Sequence, residues 1–397
     1  MTIHEIQAKS ILRRFKKIDS WFIAKAGLNL YRGCAHDCEY CDGRAEKYQV
    51  HGEFGREVAV KSNAVEILRR ELQRELQPKS NQQLDLWPRE GTPDPLGIRA
   101  DLASGFVMLG GGVGDSYQPA EAETLAARGV LELFEELCVP VHILTKSALV
   151  LRDADLLERI SQRAGALVSF SIGSSDDSIG RELEPGASRP TERLSALSEL
   201  RRRGIPGGVF LLPVIPFVSD SPEMIDQSVA EAVRAGAQYI VFGGMTLKPG
   251  RQREHFLNVM GRNRPLLAER IAALYPTNGR QAQWGQATQG YDERITRIFN
   301  ESARRYSVPP RIPRGLFNAT VKGRDLVVVL LEQIHVILEM QSRPSFYGRE
   351  AWRIAKLPGA CGPEMFEGPA GPQAREILAT GSCDVYEGLM ASFSPRR

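Results

Sequence analysis

From about residue 25 to 245, short apolar runs alternate with longer amphipathic ones. The apolar runs Lys25–Leu30, Gly105–Leu109, Pro140–Thr145, Ala166–Ile172, Gly208–Pro213 and Gln238–Phe242 are nearly continuous, as strands covered on both faces are. Between them, Ala64–Gln77, Ala122–Glu136, Asp153–Gln162, Thr191–Arg203 and Pro222–Ala235 carry apolar residues at helical spacing. Ser221-Pro222-Glu223 reads as a cap, a proline at the first helical position and an early acid, and Gly204 and Gly236 stand where helices stop. Strands alternating with helices predict βαβ units and a parallel sheet wound right-handed. Six such strands suit a partial (β/α)6 barrel or a doubly wound open sheet, which periodicity does not separate.

The same pattern divides the chain. Residues 1–24 read as an N-terminal extension and 25–250 as the α/β core. Within the core, 78–101 is a Pro/Gly-rich insertion punctuated by Pro78, Pro88, Pro93 and Pro95. Residues 251–397 turn helical and basic, with an apolar helix over Leu326–Met340 and a Gly/Pro-rich tail from Leu357 onward. No apolar run approaches the roughly 20 residues that cross a bilayer. Charges interrupt Met1–Lys17, so no signal-peptide core forms, and the expected location is the cytoplasm, with no membrane partner. A formal net charge of +3 is too small to imply a nucleic-acid partner by itself.

Six cysteines in 397 residues are not a disulfide framework. Three of them stand together in Gly33-Cys34-Ala35-His36-Asp37-Cys38-Glu39-Tyr40-Cys41, directly after an apolar run. A C-x3-C-x2-C cluster can hold one metal centre, but with three ligands where a structural site is closed by four. Zinc, with His36 or a distant residue as fourth ligand, is one occupant. Zinc ligands usually come as two separated pairs, and no second pair exists: Cys361 and Cys383 have no histidine between them. The spacing therefore favours an iron–sulfur cluster.

This cluster, with an aromatic residue before its last cysteine and on a loop after the first strand of a βα pattern, resembles the radical S-adenosylmethionine (SAM) superfamily. Asn29–Cys34, Asp115-Ser116-Tyr117-Gln118-Pro119, His142–Ser147 and Leu183-Glu184-Pro185-Gly186-Ala187 are similar to the branch related to spore photoproduct lyase, often labelled DNA repair photolyase. The resemblance implies a TIM-like partial barrel with a mainly helical C-terminal extension. It also implies a 4Fe–4S cluster on Cys34, Cys38 and Cys41, with an open iron chelated by SAM. Reduction then cleaves the sulfonium bond to a 5′-deoxyadenosyl radical that abstracts hydrogen, which calls for an electron donor such as flavodoxin or ferredoxin.

It implies site residues too, most at the C-terminal ends of strands. Tyr40 would lie against the adenine or pack on the barrel rim. Gly110, Gly111 and Gly112 would let the backbone approach the methionine amino group, and Asp115 would accept a hydrogen bond from it. Lys146 would pair with the SAM carboxylate. Ser169 and Ser171 share a strand face and would meet the ribose or methionyl moiety. Glu184 and Arg193 would touch SAM polar groups or pair with each other.

The substrate is less legible. Spore photoproduct lyase uses a cysteine as hydrogen donor near its second barrel strand, whereas Val107–Pro119 contains none; Tyr117 is the candidate replacement and Cys138 reads as a buried helix-end thiol. Arg304–Arg324, with six cations, no acid, and Tyr306 and Phe317 interleaved, is the candidate nucleic-acid contact or else a connector whose arginines bind the protein's own carbonyls. A non-catalytic iron–sulfur or zinc protein, sensing redox state or shaping a nucleic-acid surface, is the alternative to an enzyme. Oligomeric state is not readable.

Overall fold

The computed structural model describes residues 1–48, 53–76, 104–110, 113–357 and 362–394. The 78–101 insertion, Gly111, Gly112 and Cys361 lie outside them. Its strands are β1 (Thr2–Ile6), β2 (Leu12–Asp19), β3 (Ala24–Leu28), β4 (Tyr31–Arg32), β5 (Glu57–Lys61), β6 (Phe106–Leu109), β7 (Val141–Thr145), β8 (Ala166–Ile172), β9 (Gly207–Val214) and β10 (Ile240–Gly244). Seven of them form a curled half-barrel in the order β10-β9-β8-β7-β6-β3-β2. β3 and β6–β10 run parallel, linked by helical crossovers, while β2 closes one edge antiparallel to β3. A partial barrel, not a flat doubly wound sheet, is the observed solution. β8 is buried at all seven positions, as a strand covered on both faces must be.

Residues 1–24 are not an extension. β2 is an edge strand of the barrel, and β1 pairs with β5 in a small sheet β1-β5-β4. Arg13, Arg14, Lys16 and Lys17 hide β2 from an apolar-run reading, because an edge strand with one wet face carries charges that discourage further pairing.

The expected helix 122–136 is broken in two, Glu121–Thr124 and Ala126–Glu136, at Leu125 in a left-handed conformation (φ 52°). The buried Glu121 carboxylate accepts the Ala127 N–H at 2.9 Å, capping the second helix across the break. Cys138 is half-buried rather than buried, with Arg163 at 3.5 Å from its sulfur.

Beyond β10 the chain is helical. Helix Gly323–Met340 is buried along most of its length, and the region after Leu357 contains two further helices, Gly371–Thr380 and Asp384–Ala391, packed on it. Apolar residues at helical spacing outweigh the glycines and prolines that suggested a tail. Among the described residues no helix is long and apolar enough to cross a membrane.

The cations of Arg304–Arg324 are divided: Arg304, Arg305 and Lys322 are exposed, whereas Arg311 turns inward. Arg311 is buried, donates to the Pro310 carbonyl at 2.8 Å and lies 4.7 Å over the Trp21 ring. Arg305 pairs with Asp226 at 2.8 Å, Arg314 donates to the Gly381 carbonyl at 3.2 Å, and Arg324 donates to Leu357. Phe317 is buried in the core and has no face free for stacking.

Candidate functional site

The three-cysteine loop leaves β4 and crosses the C-terminal edge of β6–β9, the edge that carries chemistry in parallel barrels. Distant residues hold its backbone. The wholly buried Gln118 accepts the Ala35 N–H at 2.8 Å and donates to the Gly33 carbonyl at 3.3 Å, bracketing Cys34. Leu183 accepts the Glu39 N–H at 2.9 Å. At the far end Gln252 donates to the Tyr40 carbonyl at 2.9 Å and to Asp42 at 3.1 Å, and Asp42 also pairs with Lys248. Gly186 lets the 184–187 turn lie flat on this loop: its N–H donates to the His36 carbonyl at 2.9 Å, and a Cβ there would stand 2.0 Å from the Ala35 oxygen.

Cys34, Cys38 and Cys41 face one cavity of about 400 Å³, shared with Tyr40, Lys146 and Ser171 and floored by Phe22 and Phe210. The two phenyl rings stack with centroids 5.3 Å apart. That volume is in the range of small-molecule sites. Burial pushes the Cys34 thiol up to about 12 and raises Cys38 and Cys41 as well. Thiolates so placed need a cationic partner; Lys146 favours those of Cys38 and Cys41, and Arg44 also favours that of Cys41. Among the described residues no three His, Cys, Asp or Glu side chains stand close enough to hold a single metal ion. Three soft, buried donors around a roomy cavity suit a multi-iron centre with space for a second ligand beside it.

Lys146 leaves the end of β7 and donates to Ser171 Oγ at 2.5 Å, with Glu184 at 4.0 Å and the Tyr40 ring centroid at 5.8 Å. Beneath it, Glu184 is buried, accepts the Tyr40 hydroxyl and pairs with the wholly buried Arg193, which also donates to the Ser188 and Ser171 carbonyls at 2.7 Å each. Burial works to raise the Glu184 carboxyl, but Arg193 and then Lys146 outweigh it and hold it below the usual range.

Asp115 borders the cavity, yet its oxygens are occupied. They accept the Tyr117 N–H at 2.8 Å, the Lys146 N–H at 2.7 Å and the Thr145 hydroxyl at 2.8 Å, with His36 Nε2 3.1 Å away. Burial acts to raise its pKa, and His36 and those N–H groups more than offset it. Asp115 thus ties the ends of β6 and β7 together. Gly110 leaves the end of β6 with φ 88°, packed so closely on β7 that a Cβ would meet the Leu144 oxygen at 2.6 Å.

Among the expected residues, Gly110, Tyr117, Ser169 and Glu184 do not line the cavity. Tyr117 is wholly buried, and its hydroxyl donates to Asp153 at 3.0 Å. Ser169 shares a face of β8 with Ser171 but lies deeper, between His142 Nε2 at 2.7 Å and the Tyr239 hydroxyl at 2.8 Å. Gln118, Gln252, Trp21 and Lys248 belong to the site without having been singled out from the sequence. Gln118 lies inside a quoted motif, and the others carry no local spacing signal.

An uncharacterized protein of Mycobacterium tuberculosis is 29% identical over 279 residues, covering 69% of this chain and 74% of its own. Another, from Methanocaldococcus jannaschii, is 26% identical over 235 residues, 59% of this chain and 75% of its own. Among solved structures, spore photoproduct lyase complexed with dinucleoside spore photoproduct superposes with a TM-score of 0.52 at 14% identity, over 77% of this chain and 79% of that one. That is a likeness of fold. The radical SAM family profile matches residues 28–226, about half of the chain and the stretch that carries the three thiols and β4–β9. The chain belongs to the radical SAM superfamily, whose members use a 4Fe–4S cluster together with SAM.

Proposed function

We propose that Cys34, Cys38 and Cys41 hold the cluster, that SAM binds beside it in the inner cavity, and that the protein abstracts hydrogen from an organic substrate. The observation that carries this reading is the convergence of the three thiols and Lys146 on one cavity at the C-terminal edge of a radical SAM barrel. When bound, the cluster and SAM supply the reductive cleavage that yields a 5′-deoxyadenosyl radical.

This chain's residues position and shield that chemistry. Lys146 Nζ offers the cation for the SAM carboxylate, and the Ser171 hydroxyl beside it holds the ammonium in place. The Tyr40 ring, fixed by its hydroxyl on Glu184, forms one wall for the adenine. Phe22 and Phe210 exclude water from the floor. Asp115 acts as a positioning residue through the segments that leave β6 and β7. An electron donor of the flavodoxin or ferredoxin kind would reduce the cluster. Arg311 and Phe317 of the 304–324 stretch are buried, and Val107–Pro119 offers no donor cysteine, so the proposal does not extend to DNA repair.

The test is anaerobic reconstitution with iron and sulfide, followed by SAM and dithionite. 5′-Deoxyadenosine should form, and SAM should change the EPR spectrum of the reduced protein. An intact cluster that yields neither result overturns the reading. Full activity in Cys38→Ala overturns the ligand assignment.

A further inference from the structure

A second cavity, of about 700 Å³, lies outside the first and shares Trp21 with it. Trp21 sits in the turn between β2 and β3, and its ring reaches across the open side of the half-barrel: a Cβ on Gly243 of β10 would stand 3.9 Å from its tip. The indole therefore spans the gap between the two edges of the sheet, with the cofactor cavity on one side and the outer cavity on the other. Phe242 lines the outer cavity, whereas the next residues, Gly243 and Gly244, line the inner one.

Asp292, from helix Gln289–Arg305, lines the outer cavity within reach of this boundary, its Oδ1 3.4 Å from where Gly244 would carry a Cβ. Its N–H donates to the Thr288 carbonyl at 3.2 Å, but its carboxylate makes no hydrogen bond or ion pair among the described residues. Burial alone raises its pKa, with nothing to offset it. A half-buried carboxylate without a partner is costly unless something brings it a positive charge.

The rest of the wall carries both signs, with acids in excess. Glu293 and Glu339 add carboxylates, and Gln281 and Gln286 add neutral amides. Two arginines face them, but Arg311 is committed to the Trp21 ring and the Pro310 carbonyl, and Arg343 donates to the Gln341 side chain at 3.3 Å. Those partners are neutral and leave both guanidiniums charged, so the lining sets three carboxylates against two cations and is net acidic.

We propose that this outer cavity is the substrate pocket, and that it takes an organic cation, an amine or guanidinium compound. Its charged head pairs with Asp292 and its carbon chain passes Trp21 toward the inner cavity. The proposal rests on the radical SAM reading above and adds the substrate class to it. Anchoring by a remote cation suits hydrogen abstraction, because the C–H bond to be broken offers no handle of its own.

Calorimetric titration of the cluster-loaded, SAM-bound protein tests it, using Nα-acetylarginine amide, its neutral isostere Nα-acetylcitrulline amide, and the dinucleotide TpT. The arginine derivative should bind at least about tenfold more tightly than the citrulline one. In Asp292→Asn that ratio should fall toward one, with circular dichroism and SAM binding unchanged. Equal affinities in the wild type, no binding of either amide, tighter binding of TpT, or a ratio that survives Asp292→Asn each overturn the proposal, and the wild-type comparison stands even if the variant does not fold. The titration needs no reductant. A negative result with intact 5′-deoxyadenosine formation removes this inference alone, and absent 5′-deoxyadenosine removes the reading beneath it.

Discussion

Gln252 grips Tyr40 by its main chain: the wholly buried amide donates to the Tyr40 carbonyl at 2.9 Å, while its own oxygen accepts the Lys248 N–H at 2.9 Å. The same Nε2 also reaches the Thr246 carbonyl at 2.9 Å. One side chain from the helix after β10 therefore fixes the segment between Tyr40 and Asp42, which contains Cys41. Replacing it by alanine leaves those backbone groups buried without a partner, at a cost of about 1–3 kcal/mol. Gln252→Ala should lower the urea midpoint accordingly and speed the loss of visible absorption under chelator, at unchanged initial iron content.

Arg193 and Glu184 form a buried pair whose members are not interchangeable with solvent. Glu184 is 4% exposed and Arg193 0%. Arg193→Ala strands a carboxylate under the cavity, which costs about 3–5 kcal/mol in such settings. Lysine should rescue little, since it cannot donate simultaneously to Glu184, Ser188 and Ser171 as the guanidinium does. Thermal midpoints of the two variants should therefore fall close together, well below the wild type.

Much of the barrel was legible. The bounds of β8 coincide with the apolar run 166–172, and β3, β6, β7, β9 and β10 fall within two residues of their runs, because a strand buried on both faces leaves little room for polar residues. β2 was not legible, because its wet face carries the charges. At the site, the cysteine spacing is a local pattern and survives reading without a fold. Gln118 and Gln252 act across 83 and 212 residues of sequence, and no local period encodes such a contact. Ser169 and Ser171 show the limit of face arguments: a period of two puts them on one side of β8, but depth along the strand sends one hydroxyl to Lys146 and the other to His142. Arg304–Arg324 shows the limit of composition, which counts cations without saying which way they point.

His142 lies wholly buried between the Phe22 carbonyl, 2.8 Å from Nδ1, and Ser169. Burial lowers its pKa from 6.5 to about 4. The unfolded chain therefore binds a proton below about pH 6.5 that the folded chain refuses until about pH 4. Stability from this residue is complete above the first value and drains away as pH falls toward the second. Between about pH 8 and about pH 5 the loss amounts to about 2 kcal/mol. A His142→Gln variant should show a shallower fall of the unfolding midpoint over that range, and an unchanged slope would remove His142 as its cause.

Tyr117 gives the most direct check on the hydrogen-donor question. Its hydroxyl donates to Asp153, a carboxylate that Arg128 also meets at 2.9 Å and Arg152 at 2.7 Å. The side chain is wholly buried and does not border the cavity. Removing the hydroxyl leaves Asp153 with two cations, so Tyr117→Phe should cost only about 1 kcal/mol of stability. Formation of 5′-deoxyadenosine from SAM and dithionite should stay within about twofold of the wild type, a difference of under ~0.5 kcal/mol in barrier. If the phenylalanine variant instead keeps its fold and SAM affinity but loses turnover with substrate, the hydroxyl takes part in the reaction, and the Asp153 contact must open during catalysis.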